Sequence, residues 1–119
     1  MRRAHKLRSF AEVERKFLST VNMEPDEIRD WLATDESKAV GFTYAGERES
    51  VGRQSARKII RILERGPSAL DERHMRKVIG YVARHSAQRP HGGEEKVRHS
   101  RWRFSLMNWG HDPLGRGSL

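Results

Sequence analysis

The chain has 119 residues and a mass of 13.8 kDa, with 24 Lys and Arg against 16 Asp and Glu, a net charge of +8 and a pI near 10.6. This length fits a single domain, which buries enough surface to hold a core without a disulfide or metal staple. With 0 Cys, thiol nucleophiles, thiolate zinc sites and redox motifs are excluded, and the composition suits a reducing cytosol.

Hydrophobic residues make up 35% of the chain and charged residues 34%, with a mean hydropathy of −0.86, so part of the sequence is expected to be loop or tail. No apolar run has the length a bilayer needs, and no apolar stretch follows the basic start Met1-Arg2-Arg3-Ala4-His5-Lys6. The expectation is a cytoplasmic protein without a membrane partner. Charge is polarised along the chain. Residues 1–21 carry six basic and two acidic side chains, residues 22–50 three and eight, and residues 51–119 fifteen and six.

The basic arm 1–8 precedes Ser9-Phe10-Ala11-Glu12, whose S-x-x-E spacing is that of a capping box, so a helix is predicted from Phe10. Its apolar residues Phe10, Val13, Phe17, Leu18 and Val21 form one stripe of a 3.6-residue period. Pro25, with Asp26 and Glu27 at the positive end of a helix dipole, predicts a second helix to about Thr34, burying Ile28, Trp31 and Leu32. From Asp35 to Ser50 the periodicity fails, and an ordered loop with one helical turn near Lys38 is expected.

A third helix follows to Arg65, stopped by Gly66-Pro67. It gathers Gly52, Ser55, Ala56, Ile59, Ile60, Ile62 and Leu63 on one side, and Arg53, Arg57, Lys58, Arg61 and Arg65 on the other. Asp71 is placed as the N-cap of a fourth helix over 72–86, which buries Met75, Val78, Ile79, Val82 and Ala83 and shows Arg73, Arg76, Lys77 and Arg84 to solvent. Gln88 to Val97 reads as a linker. Trp102, Leu106 and Trp109 at i, i+4 and i+7, with Gly110 and Pro113 beyond, predict a short terminal helix. The fold class is therefore all-α: a compact bundle of four to five helices over residues 9–114, with the arm 1–8 and a loose tail 115–119.

The chemistry of catalysis is poorly represented. His5, His74, His85, His91, His99 and His111 show no metal-ligand spacing. There is no G-x-S-x-G elbow, the Gly46–Gly52 stretch lacks the Gly-Lys-Ser/Thr of a phosphate loop, and Glu47 and Glu49 sit in a loop with no pocket sequence around them. No enzyme, cofactor or metal is expected.

The basic helix faces carry the positive argument. Arginines at i, i+4 and i+8, such as Arg53, Arg57 and Arg61, are spaced about 6 Å apart along a helix and can track a phosphate backbone, and guanidinium forks match phosphate oxygens. The competing reading is an ordinary solvated helix face, neutralised in part by the acidic segment 24–49. Single-signed charge on two helices, joined by Arg2, Arg3, Lys6 and Arg8 of the arm, favours nucleic acid. Arg101 and Arg103 flank Trp102, which either stacks on unpaired bases or docks the terminal helix; its amphipathic spacing with Leu106 and Trp109 favours docking, with Arg101 and Arg103 expected to reach a phosphate from its rim. Gly52 lies on the apolar arc and is expected to admit a neighbouring helix, whereas Gly80, on the basic arc, admits either another chain or a phosphate.

Several strings resemble a known family: Trp31-Leu32-Ala33-Thr34-Asp35-Glu36-Ser37-Lys38, Glu49-Ser50-Val51-Gly52, His74-Met75-Arg76-Lys77-Val78-Ile79-Gly80-Tyr81-Val82, Gln88-Arg89-Pro90, and Ser100-Arg101-Trp102-Arg103-Phe104-Ser105-Leu106-Met107-Asn108-Trp109-Gly110-His111-Asp112-Pro113. Together they are similar to the uncharacterised bacterial domain-of-unknown-function family 3140, from about Val21 to Leu114. The resemblance implies no catalytic residues; some members of that family carry a DNA-binding label. The expectation is a non-enzymatic, largely sequence-independent DNA-binding protein, nucleoid-associated in the cell. The alternatives are a protein-interaction adaptor using the acidic segment or the Trp helix, RNA binding, and, for the short turn at 66–70, a helix-turn-helix.

Overall fold

The computed structural model describes residues 9–115, and the fold is all-helical. The arm, with Arg2, Arg3, Lys6 and Arg8, and positions 116–119 of the expected tail lie outside the described residues. In chain order the elements are α1 (Phe10–Thr20), α2 (Pro25–Leu32), α3 (Asp35–Lys38), α4 (Val51–Arg65), a 3₁₀ turn (Ala69–Asp71), α5 (Glu72–Ser86), α6 (Glu94–Arg98) and α7 (Arg101–Asn108). The long helices follow the sequence prediction. The two additions to the expected count, α3 and α6, are single short turns.

Each helix starts for a local reason. The Ser9–Glu12 capping box is formed, with Glu12 N–H donating to Ser9 Oγ at 3.1 Å and Ser9 N–H to Glu12 Oε1 at 3.0 Å. Glu24 and Glu27 make the same reciprocal arrangement before Pro25, and Ser50 and Ser100 cap α4 and α7. Helix α2 stops at Leu32, two residues earlier than expected, because Thr34 restarts the chain by accepting from Ser37 N–H at 3.1 Å as the cap of α3. Asp71 does not cap α5. Its carboxylate accepts from Ser68 N–H at 2.8 Å, Ser68 Oγ at 3.1 Å and Arg65 at 2.6 Å, closing the 3₁₀ turn. Helix α6 occupies the predicted linker. Glu94 and Glu95 sit at its positive end and reach Arg98 and His99 one turn on, at 2.6 and 2.9 Å, while Val97 is fully buried.

The packing is organised around the short helix α7. Helix α1 lies on α5 and α2 on α4, while α7 touches α2, α3, α4, α5 and α6. Phe17, Ile28, Ile59, Met75 and Leu106 are the largest fully buried side chains, one from each of α1, α2, α4, α5 and α7. Gly52 behaves as its position on the apolar arc predicts: an added Cβ would stand 3.0 Å from Trp109 Nε1 and 3.3 Å from Asn108 Cβ, so α7 closes on bare backbone. The Trp102–Leu106–Trp109 helix is docked, with Trp109 buried and the Trp102 indole N–H donating to His85 O. Two predicted core positions are solvent-facing. Leu18 is 47% exposed and Ala83 is also exposed, since among the described residues neither lies on the part of its helix that the core covers.

The two ends of the described chain are tied together. Asn22 Nδ2 donates to Asp112 O at 2.9 Å, Asp112 N–H to Asn22 Oδ1 at 2.8 Å, Asn22 N–H to Gly110 O at 3.1 Å, and His111 Nδ1 to Thr20 O at 2.8 Å. Asp112 is 1% exposed and holds Arg103, 6% exposed, through two parallel bonds of 3.0 and 2.9 Å. Replacing one member of such a pair strands a buried charge, at a cost of about 3–5 kcal/mol. Asp112→Ala is therefore expected to lower the free energy of urea unfolding by about that amount, a large share of a small domain's stability. A loss under about 1 kcal/mol would show that Arg103 finds water instead.

Candidate nucleic-acid interface

The basic faces of α4 and α5 are divided by their partners. Arg53, expected on the solvent side, is buried at 7% exposure. Its guanidinium donates to Leu32 O and Ser37 Oγ, both at 2.8 Å, and to Glu49 at 3.0 Å. Arg103, expected on the rim of the Trp helix, is buried against Asp112. Both are corrections to the sequence reading: these arginines build the fold and are not presented to a ligand. The row Arg53, Arg57, Arg61 is thereby broken, since Arg57 is also held by Glu49, through bonds of 2.8 and 2.6 Å. Arg65 is paired to Asp71 and Arg76 to Glu72 at 2.8 Å. Arg101 is exposed and donates to Ala39 O at 2.9 Å.

What remains is a set of cations with no carboxylate partner among the described residues: Lys58 and Arg61 on α4, and Arg73, Lys77 and Arg84 on α5. Four of them, Lys58, Arg61, Arg73 and Lys77, join Arg65 around a groove of about 400 Å³ between the two helices. The 3₁₀ turn closes one end of this groove and presents Leu70, 95% exposed, beside the cations. The turn is fixed by Gly66, whose φ of +97° an L side chain rarely adopts, and by the Ser68–Asp71–Arg65 bonds. The one carboxylate in the lining, Asp71, is paired with Arg65, so the other four cations raise the positive potential of the groove and favour an anion there.

His74 registers that potential. Its Nε2 lies 2.9 Å from Ser55 Oγ in the floor of the groove. Burial, followed by the nearby charges of Lys58 and Lys77, lowers its pKa to about 4, so the ring is neutral at pH 7. Glu49 is shifted by the opposite kind of neighbour. The Arg57 hydrogen bond, followed by the charges of Arg57 and Arg53, outweighs its partial burial and brings its pKa down to about 2.

A second groove, of about 470 Å³, adjoins the first through Lys77. It lies under the loop from Gly41 to Glu49, with Phe42 and Tyr44 on one side and Tyr81 and Trp109 on the other. The sequence analysis did not single out Phe42 or Tyr44; the only available signal was two aromatic residues two positions apart in a stretch without helical periodicity. Gly80 carries no neighbouring helix. Among the described residues, the only side chain near an added Cβ is that of Arg84, whose Nη1 would be 3.1 Å away. Among the described residues no three His, Asp or Glu side chains gather as a metal site, and no helix is long and apolar enough to cross a membrane.

The depressed His74 pKa has a directional consequence. In the unfolded chain His74 takes up a proton near pH 6.5, whereas in the folded protein it does so only near pH 4, so acidification through that window costs folding stability. An NMR titration is expected to give a His74 midpoint near 4 and, with a saturating polyanion that offsets Lys58 and Lys77, a higher one. A midpoint unmoved by bound polyanion would separate the anion from this groove.

The comparisons with known proteins are sparse. The family model described as "Protein of unknown function (DUF3140)" matches residues 16–107, which include every element from α2 to α6, the second half of α1 and most of α7. No curated protein matches the chain, and no solved structure does. Because the match runs across most of its length, this chain belongs to the DUF3140 family.

Proposed function

We propose that this protein is a non-enzymatic DNA-binding protein that grips the phosphate backbone, largely without regard to sequence, through the groove between α4 and α5. The supporting observation is the division of its cations. Lys58, Arg61, Arg73 and Lys77 surround one groove with no carboxylate partner among the described residues, whereas Arg53, Arg57, Arg65, Arg76 and Arg103 are each matched to one. A phosphate reaching the first set displaces nothing. Lysine and arginine contacts to phosphate fix position and supply affinity but carry no base information.

The remaining basic residues add to this. Arg84 and Arg101 extend the exposed charge beyond the groove, and the arm contributes Arg2, Arg3, Lys6 and Arg8, which we assign to the same backbone or to the adjacent minor groove. DNA binding of this kind implies a cytoplasmic, nucleoid-associated protein.

The test is fluorescence anisotropy with a labelled random-sequence duplex across a salt series. Counterion release gives a slope of log affinity on log salt of about −0.9 per phosphate contacted. The wild type is expected to show a steep slope, and Lys58→Gln, Arg61→Gln, Arg73→Gln and Lys77→Gln each to flatten it by about one contact. Arg53→Leu is the informative contrast, because it removes a basic residue that faces no solvent and should disturb stability before the salt slope. Absence of binding at low salt, where electrostatic association is strongest, would falsify the reading and direct attention to the acidic 24–49 segment as a protein-binding surface.

A further inference from the structure

The second groove is not explained by backbone binding. Phe42 is 64% exposed and Tyr44 58%, with their rings edge to face at 4.8 Å. Loop aromatics left in water forgo the burial that ordinarily retains them, and here they are held out by a loop that is itself tied down. Val51 N–H donates to Phe42 O at 2.8 Å, Glu47 N–H to Tyr44 O at 3.0 Å, and Glu49 clasps Arg53 and Arg57. Gly41 takes a φ of +97° and comes so close to Ser50 that a Cβ would stand 2.9 Å from Ser50 Cβ. Two exposed rings on an anchored loop form a presented surface.

The facing wall is a stack of parallel rings. Tyr81 lies between Trp109, at 4.3 Å and 12°, and His85, at 3.8 Å and 15°. Trp109 is 5% exposed, yet its indole N–H has no acceptor among the described residues. It stands at the groove beside Gly52, where an added Cβ would be 3.0 Å from Nε1. Buried N–H groups are rarely left without a partner, and this one opens on a groove from which an acceptor can reach it. Two cations, Lys77 and Arg84, line the same groove, and no carboxylate does. They are two helical turns apart on α5, with the bare backbone of Gly80 between them.

We infer that this groove receives one unpaired nucleobase of a bound strand, lying in the corner of the edge-to-face pair Phe42 and Tyr44 and stacked on one of the two rings, with a base acceptor on the Trp109 indole N–H and the flanking phosphates on Lys77 and Arg84. The inference rests on the nucleic-acid reading of the neighbouring groove, to which Lys77 makes it continuous. Planar aromatic walls, an unmet donor and unpaired cations together match a nucleotide: a flat π-face, acceptor atoms on its edge and a phosphate attached. A base inside an intact duplex has no face to offer. The ligand is therefore a base freed by a bulge, a flip or a single-stranded stretch.

The full chain would be titrated with four probes: an intact duplex, the same duplex carrying a one-nucleotide bulge, an oligothymidine single strand, and thymidine monophosphate. Affinity and the Trp109 indole N–H resonance are the two readouts. Bulged duplex is expected to bind about tenfold or more tightly than intact duplex, one well-stacked base being sufficient for that margin. The indole resonance should move with bulged duplex and single strand and stay in place with intact duplex. Phe42→Ala with Tyr44→Ala, at solvent-facing positions whose loss the fold tolerates, should bring the bulged-to-intact ratio to one; an unchanged thermal melt confirms that the fold is kept.

A wild-type ratio of one, with a steep salt slope for both duplexes, overturns the base site and leaves the backbone reading standing. Failure to bind any strand overturns both. Thymidine monophosphate binding as tightly as the single strand overturns the strand as the source and makes the occupant a free nucleotide. An indole resonance that moves only with protein concentration overturns the proposal in favour of a second copy of the chain.

Discussion

One buried amide, that of Asn108, determines how four segments of this chain meet. Its Oδ1 accepts from the Trp31 indole at 2.7 Å and from Ser37 Oγ at 2.6 Å, and its Nδ2 donates to Ser37 O at 3.2 Å. Ser37 Oγ in turn accepts from Arg53, which also takes the carbonyl at the end of α2 and the Glu49 carboxylate. Helices α2, α3, α4 and α7 and the loop before α4 are thus joined through groups that are each costly to bury alone and inexpensive to bury together. The apolar core fills space around this network, but apolar contacts alone are non-directional and would tolerate α7 in other registers. With the Asn108 amide in place, the position of the aromatic loop, the depth of Arg53 and the approach of α7 to Gly52 are coupled.

That coupling decides which charges reach solvent. An excess of basic residues is a property of composition, but a basic surface is what remains after the acidic residues have chosen partners. Glu49 takes two arginines, Asp71 and Glu72 one each, and Asp112 takes Arg103 of α7 from the inside. These carboxylates lie on the loops and helix starts that border α4 and α5, so the pairing is concentrated at the edges and the middle of the surface is left to Lys58, Arg61, Arg73 and Lys77. The rigid 3₁₀ turn then fixes the two helices relative to each other, so the unpaired cations keep their spacing without a ligand to hold them.

The helices were legible because their signals are local. The capping box at Ser9, Pro25, the Gly66-Pro67 stop and the apolar stripes of α4 and α5 depend on residues within a turn or two of each other. The partners of Arg53 and Arg103 are another matter. A helical wheel assigns an angle to Arg53 and says nothing about whether the chain 21 residues earlier covers that angle, which it does through Leu32 O. Arg103 and Asp112 are close in sequence, yet their burial depends on Asn22. Helix α6 escaped notice because glycines flanking a short polar run obscure i, i+4 pairs, and Leu18 and Ala83 were placed inside because a stripe shows which face is apolar without showing how wide its neighbour is. The aromatic loop had no periodic signal at all. Of the candidate interface, the unpaired cations were all named from the sequence; which arginines to subtract, and the groove beside them, required the fold.

The junction of Asn22 with Gly110 and Asp112 has a consequence for how the molecule is made. Its hydrogen bonds join residues 90 positions apart, and the last carbonyl of α1, Thr20 O, accepts from His111 there. At ribosomal speeds, the interval between the emergence of Asn22 and that of Asp112 is on the order of ten seconds, which is long compared with helix formation and hydrophobic collapse. The apolar face of α1 therefore waits for α5, and the end of α1 waits longer still. During that interval the nascent chain carries a capped but unlocked helix, and the acidic 24–49 segment emerges ahead of the arginines of α4 that Glu49 will hold, so its early encounters are governed by the acidic segment and its final shape by the residues that follow α7.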